Sequence, residues 1–80
     1  MRLPRDLDAS DLVRVLARLG YQPTHQTGSH IRLVSIQAGG HSITVPNHRP
    51  LKVGTLNAIL RDLAEHHNFS RQVLISTLFE

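Results

Sequence analysis

Turn-forming residues between Gly20 and Pro46 constrain the fold of this chain more than any other feature. Gly20, the Thr27-Gly28 pair, the Ala38-Gly39-Gly40 triplet and Pro46 cut that stretch into three short runs with tight connections. Residues 21–26 read as the first strand; Pro23 cannot donate a ladder hydrogen bond, which places this strand at an edge. Residues 29–36 read as the second. Ile31 and Leu33 point to one face and His30 and Arg32 to the other, although Val34 and Ile36 blur the alternation. Residues 41–45 form the third, with Ile43 and Val45 inward, Ser42 and Thr44 outward, and Pro46 as its stop. Such short turns join consecutive strands only as an antiparallel meander.

Helices flank the sheet. Leu12, Val15, Leu16 and Leu19 recur at helical spacing over residues 9–19. Asp8, with Ser10 as a second candidate, supplies the N-cap, and Gly20 the left-handed stop. After a loop over residues 46–53, Gly54-Thr55 opens a second helix with an apolar stripe of Leu56, Ile59, Leu60 and Leu63. This helix is expected to fray at Glu65-His66-His67-Asn68. Ser70 caps a third, with Phe69 placed to staple onto Leu74. The expected class is α+β, in the order α-β-β-β-α with an extra C-terminal helix over residues 69–79. One face of the sheet is covered by helices, and the other carries His30, Arg32, Ser42 and Thr44 into water.

Residues 1–80 are expected to form one domain with a small core. Without cysteine the chain has neither a disulfide framework nor a thiolate metal site, which fits a reducing cytoplasm. No apolar run reaches the roughly 20 residues of a membrane span, and the first residues lack a signal peptide's apolar block. Net charge is +3, and its distribution says more than its size. No Asp or Glu occurs between Asp11 and Asp62, whereas the same stretch holds Arg14, Arg18, Arg32, Arg49, Lys52 and Arg61 and four of the six histidines. A basic middle suits a polyanion or an acidic protein partner, although charge alone favours a plain solvated surface.

In a meander, alternate connections lie at the same end of the sheet. The Gly28-Ser29-His30 turn is therefore expected beside the 46–53 loop, with His30 near His48, Arg49, Lys52 and the second helix start, and far from His41. A helix start offers free N–H groups and a positive dipole end to a phosphate. Gly54 permits close approach, Thr55 adds a hydroxyl, and Lys52 and Arg49 add charge. A histidine there can act as general base on a ribose 2′-hydroxyl or as general acid to the leaving oxygen, while cations stabilise the phosphorane. No metal ion is required. Each residue also has a plainer use: His30 as a surface residue, Gly28 as a turn former, Arg49 and Lys52 as a solvated loop, His48 as a residue that shapes the loop. A metal site built from His25, His30 and His48 competes, but the ligands would be all-His and no H-x-x-x-H spacing is present. Ser29 adjoins His30 without an acid to orient the imidazole, which argues against a serine hydrolase.

Several elements then fall into a known order. They are Leu16 to Gly20, Gly28-Ser29-His30, Thr44-Val45-Pro46, His48, Lys52-Val53-Gly54-Thr55-Leu56 and Ile59-Leu60. Over about residues 8–64 this pattern resembles the HicA family of bacterial toxins, mRNA interferases of the HicA–HicB toxin–antitoxin systems. The resemblance implies a fold like the double-stranded RNA-binding domain and an endoribonuclease that cleaves mRNA and arrests growth. It implies His30 as the catalytic residue. On this reading Gly28, Ser29, Arg32, His48, Arg49, Lys52, Gly54 and Thr55 shape the turn or bind RNA phosphate. It also implies a cognate HicB-like antitoxin, suited to present acidic surface to the basic patch. The chain departs from the pattern in its Asn47-His48-Arg49-Pro50-Leu51 loop and in continuing to Glu80, where the tail is either an extra core helix or an antitoxin or dimer contact. The alternatives from other classes are a non-catalytic RNA-binding module using the same basic face and a purely protein-binding domain.

Overall fold

The computed structural model describes residues 3–80. Helix α1 spans Ala9–Leu16 and tightens into a single 3-10 turn over Ala17–Leu19. Strands β1 (Gln22–Thr27), β2 (His30–Ser35) and β3 (His41–Pro46) form one antiparallel sheet in the order β1-β2-β3. Helices α2 (Val53–His67) and α3 (Arg71–Phe79) complete the chain. This is the expected α+β order, α-β-β-β-α-α, with the expected meander.

Local sequence accounts for the element ends. Asp8 is extended at the start of α1, and the Asp11 carboxylate accepts its N–H at 3.1 Å, which satisfies a donor that the helix cannot. Gly20 takes φ 80° and stops the helix. Ser70 caps α3 by accepting the Val73 N–H at 3.1 Å.

Several boundaries differ from the expectation by a residue or two. The first hairpin turns on Gly28-Ser29, not Thr27-Gly28. Gly28 has φ 54°, and a two-residue turn with glycine first leaves Thr27 in the ladder opposite His30. Tyr21 precedes β1 and is only 1 % exposed. Strand β2 stops at Ser35 because the chain turns over Gln37–Gly39, with Ala38 at φ 52°; Ile36 is left 90 % exposed. Pro46 still pairs with His30, so it is the last residue of β3. Helix α2 begins at Val53, one residue before Gly54, since Lys52 is extended and its carbonyl accepts the Leu56 N–H.

A larger correction concerns His66 and His67. The end of α2 does not fray. It runs through His67 and closes with Asn68 in the left-handed conformation, while the Phe69 N–H donates to the Ala64 carbonyl at 2.9 Å.

Leu33, Ile43 and Val45 face inward, and His30, Arg32, Ser42 and Thr44 outward, as the alternation requires. Helix α1 packs on β1 and β3, and α2 on β3; α3 packs against α1 and α2. Leu12, Leu16, Leu33, Val45, Leu63, Leu74 and Leu78 are wholly buried at the centre. Leu74 and Leu78 lie on α3, so the tail beyond α2 is part of the core. All of β1 is exposed, and its ladder breaks between Pro23 and His25, as a proline-bearing edge strand allows. No helix among the described residues is long and apolar enough to cross a membrane.

Candidate functional site

The Gly28-Ser29-His30 turn and the loop after β3 meet at one end of the sheet. The Asn47 N–H donates to the Ser29 carbonyl at 2.6 Å, and His30 stands opposite Pro46 in the β2–β3 ladder. The loop is also tied down from behind. The Ala9 N–H donates to the His48 carbonyl at 3.1 Å, the Leu51 N–H to the Leu7 carbonyl at 2.8 Å, and Leu51 is buried. These bonds fix the backbone while the side chains of Asn47, His48, Arg49, Pro50 and Lys52 stay exposed. Together they line an open depression of about 520 Å³.

Lys52 is the N-cap of α2, so Val53, Gly54 and Thr55 make up its first turn, which carries no acidic residue and no side-chain cap. A Cβ added at Gly54 would meet no protein atom within 4 Å, and Thr55 is half-buried. The first-turn amides and the side chains of Arg49 and Lys52 thus share one end of the molecule, a polarity suited to an anion.

His30 is exposed and shares the open face with Arg32, two residues along β2, and with His25 and Thr44, which pair with Arg32 from either side. Arg32 donates to the Ser42 hydroxyl at 3.3 Å. Among the described residues no carboxylate pairs with Arg32, Arg49 or Lys52. The structure therefore gathers Gly28, Ser29, His30, His48, Arg49, Lys52, Gly54 and Thr55 at one end, with Arg32 further down the open face.

His41 lies at the other end, in a cluster that the sequence reading did not assemble. The Tyr21 hydroxyl is 2.6 Å from His41 Nδ1 and 2.8 Å from His67 Nε2, and His41 Nε2 is 3.3 Å from Asp62 Oδ1. The rings of His41 and His66 stack at 4.2 Å. One proton order satisfies the chain: His67 Nε2–H donates to Tyr21, Tyr21 to His41 Nδ1, and His41 Nε2–H to Asp62. Burial, and secondarily the Asp62 charge, push the Tyr21 phenol up to about 12. Burial, with His66 and His41 beside it, pulls His67 below its ordinary value.

Fold and site together define a class: a small α+β domain whose three-stranded meander is covered by helices on one face and open on the other. Within that class the chain belongs to the HicA toxin family. The family model described as HicA toxin of bacterial toxin-antitoxin matches residues 9–64, which span α1, the whole sheet and most of α2. Its role is thus that of a toxin, one half of a toxin–antitoxin pair. No curated protein and no solved structure matches the chain.

Proposed function

We propose that this chain is an endoribonuclease that cleaves mRNA in the cytoplasm, and that a HicB-like antitoxin restrains it by covering the basic end. The observation that carries the reading is the 2.6 Å hydrogen bond from Asn47 to the Ser29 carbonyl. It holds the turn bearing His30 against the loop bearing His48, Arg49 and Lys52.

The chemistry needs only imidazole and cations. His30 takes the proton of a ribose 2′-hydroxyl as its oxygen attacks phosphorus. The bond from phosphorus to the 5′ oxygen then breaks, and that oxygen receives a proton, with His48 the candidate donor. The products are a cyclic 2′,3′-phosphate and a 5′-hydroxyl. Lys52, Arg49 and the first-turn amides of α2 stabilise the charge that builds on the phosphorane, and Arg32 draws the RNA backbone along the open face. Acid–base transfer by imidazole and charge neutralisation by cations need no metal ion.

The test is induced expression of the chain and of His30→Ala at matched levels, reading growth and RNA integrity. The expected result is growth arrest with fragmented mRNA, both abolished by the substitution in a folded protein. Identical behaviour of the two proteins, with RNA still bound, would remove His30 as catalyst and leave a binding module.

A further inference from the structure

We propose that His41, His66 and His67 form a binding site for one divalent transition-metal ion, Zn²⁺ foremost, at the end of the sheet remote from His30. One ligand nitrogen from each of the three rings lies within 4.8 Å of the others. His66 and His67 come from the last turn of α2 and His41 from the first residue of β3. Both elements are held by core contacts around Leu63 and Ile43, so the three rings converge without depending on a loose loop.

A tetrahedral zinc site has Zn–N bonds of about 2.0–2.1 Å, which sets its ligand nitrogens about 3.4 Å apart. Binding therefore requires the rings to turn from their observed spacing, within 4.8 Å, toward the ion. Three imidazoles select borderline ions such as Zn²⁺, Co²⁺ or Ni²⁺ over Mg²⁺ and Ca²⁺, which prefer oxygen ligands.

A second observation points the same way. His66 Nε2 is buried and, among the described residues, has no hydrogen-bond partner. A buried polar atom without a partner is rare because its lost hydration is not replaced, and a metal ion is one such replacement. The surroundings also fit a metal's outer shell. Asp62 lies 3.3 Å from His41 Nε2, where it orients that ring and offsets the ion's charge, while the Tyr21 bond to His41 Nδ1 gives way when that nitrogen takes the ion. The cluster reaches the surface on the Asp62 side, where the Asp62 side chain is 56 % and the His41 side chain 16 % exposed.

The experiment titrates the purified full chain, stripped with a chelator, with zinc chloride by calorimetry. Cobalt chloride then serves as a spectroscopic probe. The expected result is one ion per chain, a cobalt spectrum of tetrahedral intensity, and selective perturbation of the ring signals of His41, His66 and His67 in NMR. His66→Gln should weaken binding by about a hundredfold or more, since even outer-shell partners are worth about 10–100-fold in affinity. A variant carrying His25→Ala, His30→Ala and His48→Ala together should bind as tightly as the parent. Absence of binding overturns the proposal and leaves the cluster a metal-free hydrogen-bonded plug. Binding that survives His66→Gln and disappears in the triple variant overturns it as well. If His66→Gln fails to fold, the NMR map on the parent decides, since perturbation of His25, His30 and His48 instead of the trio is the contrary result.

Discussion

The Ser35 hydroxyl donates to the Leu19 carbonyl at 2.7 Å and accepts the Gln37 N–H at 3.1 Å. Ser35 is only 1 % exposed, and it joins the end of the first helical segment to the end of β2. Ser35→Ala removes both bonds and leaves a carbonyl and an amide to find other partners. The expected cost is about 1–3 kcal/mol, read as a lower denaturant midpoint at unchanged slope. A midpoint equal to the parent's would show that water replaces the hydroxyl at no cost.

Gly20 and Gly28 both have positive φ, 80° and 54°, but their surroundings differ. A Cβ at Gly28 meets nothing within 4 Å, whereas one at Gly20 falls 2.8 Å from Gln37 Nε2 and 3.1 Å from Ser35 Oγ. Gly28→Ala should therefore cost only the left-handed strain of about 1–2 kcal/mol. Gly20→Ala should cost more, because it also displaces Gln37 and presses on the Ser35 bond. Thermal melts of the two variants rank them, and the reverse order would contradict this account.

The strands, the meander and the inward face were legible because period-two alternation and glycine turns are local signals. So was the meeting of the His30 turn with the 46–53 loop, which follows from meander topology alone. The histidine cluster was not read, although two signals for it were present. The stripe Leu56, Ile59, Leu60, Leu63 continues at the same spacing to His66 and His67, which places both rings on the inner side of α2. Tyr21 and His41 stand at the starts of β1 and β3, which a meander brings to one end. Reading His66-His67 as a frayed terminus gave polarity more weight than periodicity. The left-handed Asn68 and the Phe69 amide that close the helix depend on backbone geometry that composition does not reveal.

The tail beyond α2 carries stability. Leu74 and Leu78 are fully buried against the core formed by the other helices and the sheet. Leu74→Ala should cost about 2–5 kcal/mol, a large part of the roughly 5–15 kcal/mol that holds a small domain together. Urea titration followed by circular dichroism measures it. A loss below about 0.5 kcal/mol, the usual size of a surface change, would mean that α3 is docked rather than integral.

His67 sets a pH dependence of stability. Its proton is disfavoured in the folded chain, first by burial and then by His66 from the same turn and His41 from β3. Tyr21 and Asp62 complete the groups facing the cluster. The unfolded chain therefore binds more protons, and stability rises with pH. This contribution is fully present above the ordinary histidine value of 6.5 and is lost as pH falls from there through the lower folded value. Melting temperatures taken in chelator across that window should drop on the acid side, and His67→Gln should flatten the drop. An equally steep acid limb in that variant would assign the effect to other groups.

The proposed RNA contacts separate from the proposed catalyst by their salt dependence. Arg49 and Lys52 are exposed beside the first turn of α2, with no carboxylate paired to either among the described residues. If each neutralises one phosphate, Arg49→Ala and Lys52→Ala should each weaken binding to single-stranded RNA and reduce the slope of log K against log salt by about 0.7. His30→Ala should abolish cleavage yet leave that slope unchanged, which also makes it the variant in which binding is measured without substrate loss. Fluorescence anisotropy at several salt concentrations gives all three slopes. If His30→Ala lowered the slope and the two cation variants did not, RNA would lie along the open face of the sheet rather than at the start of α2.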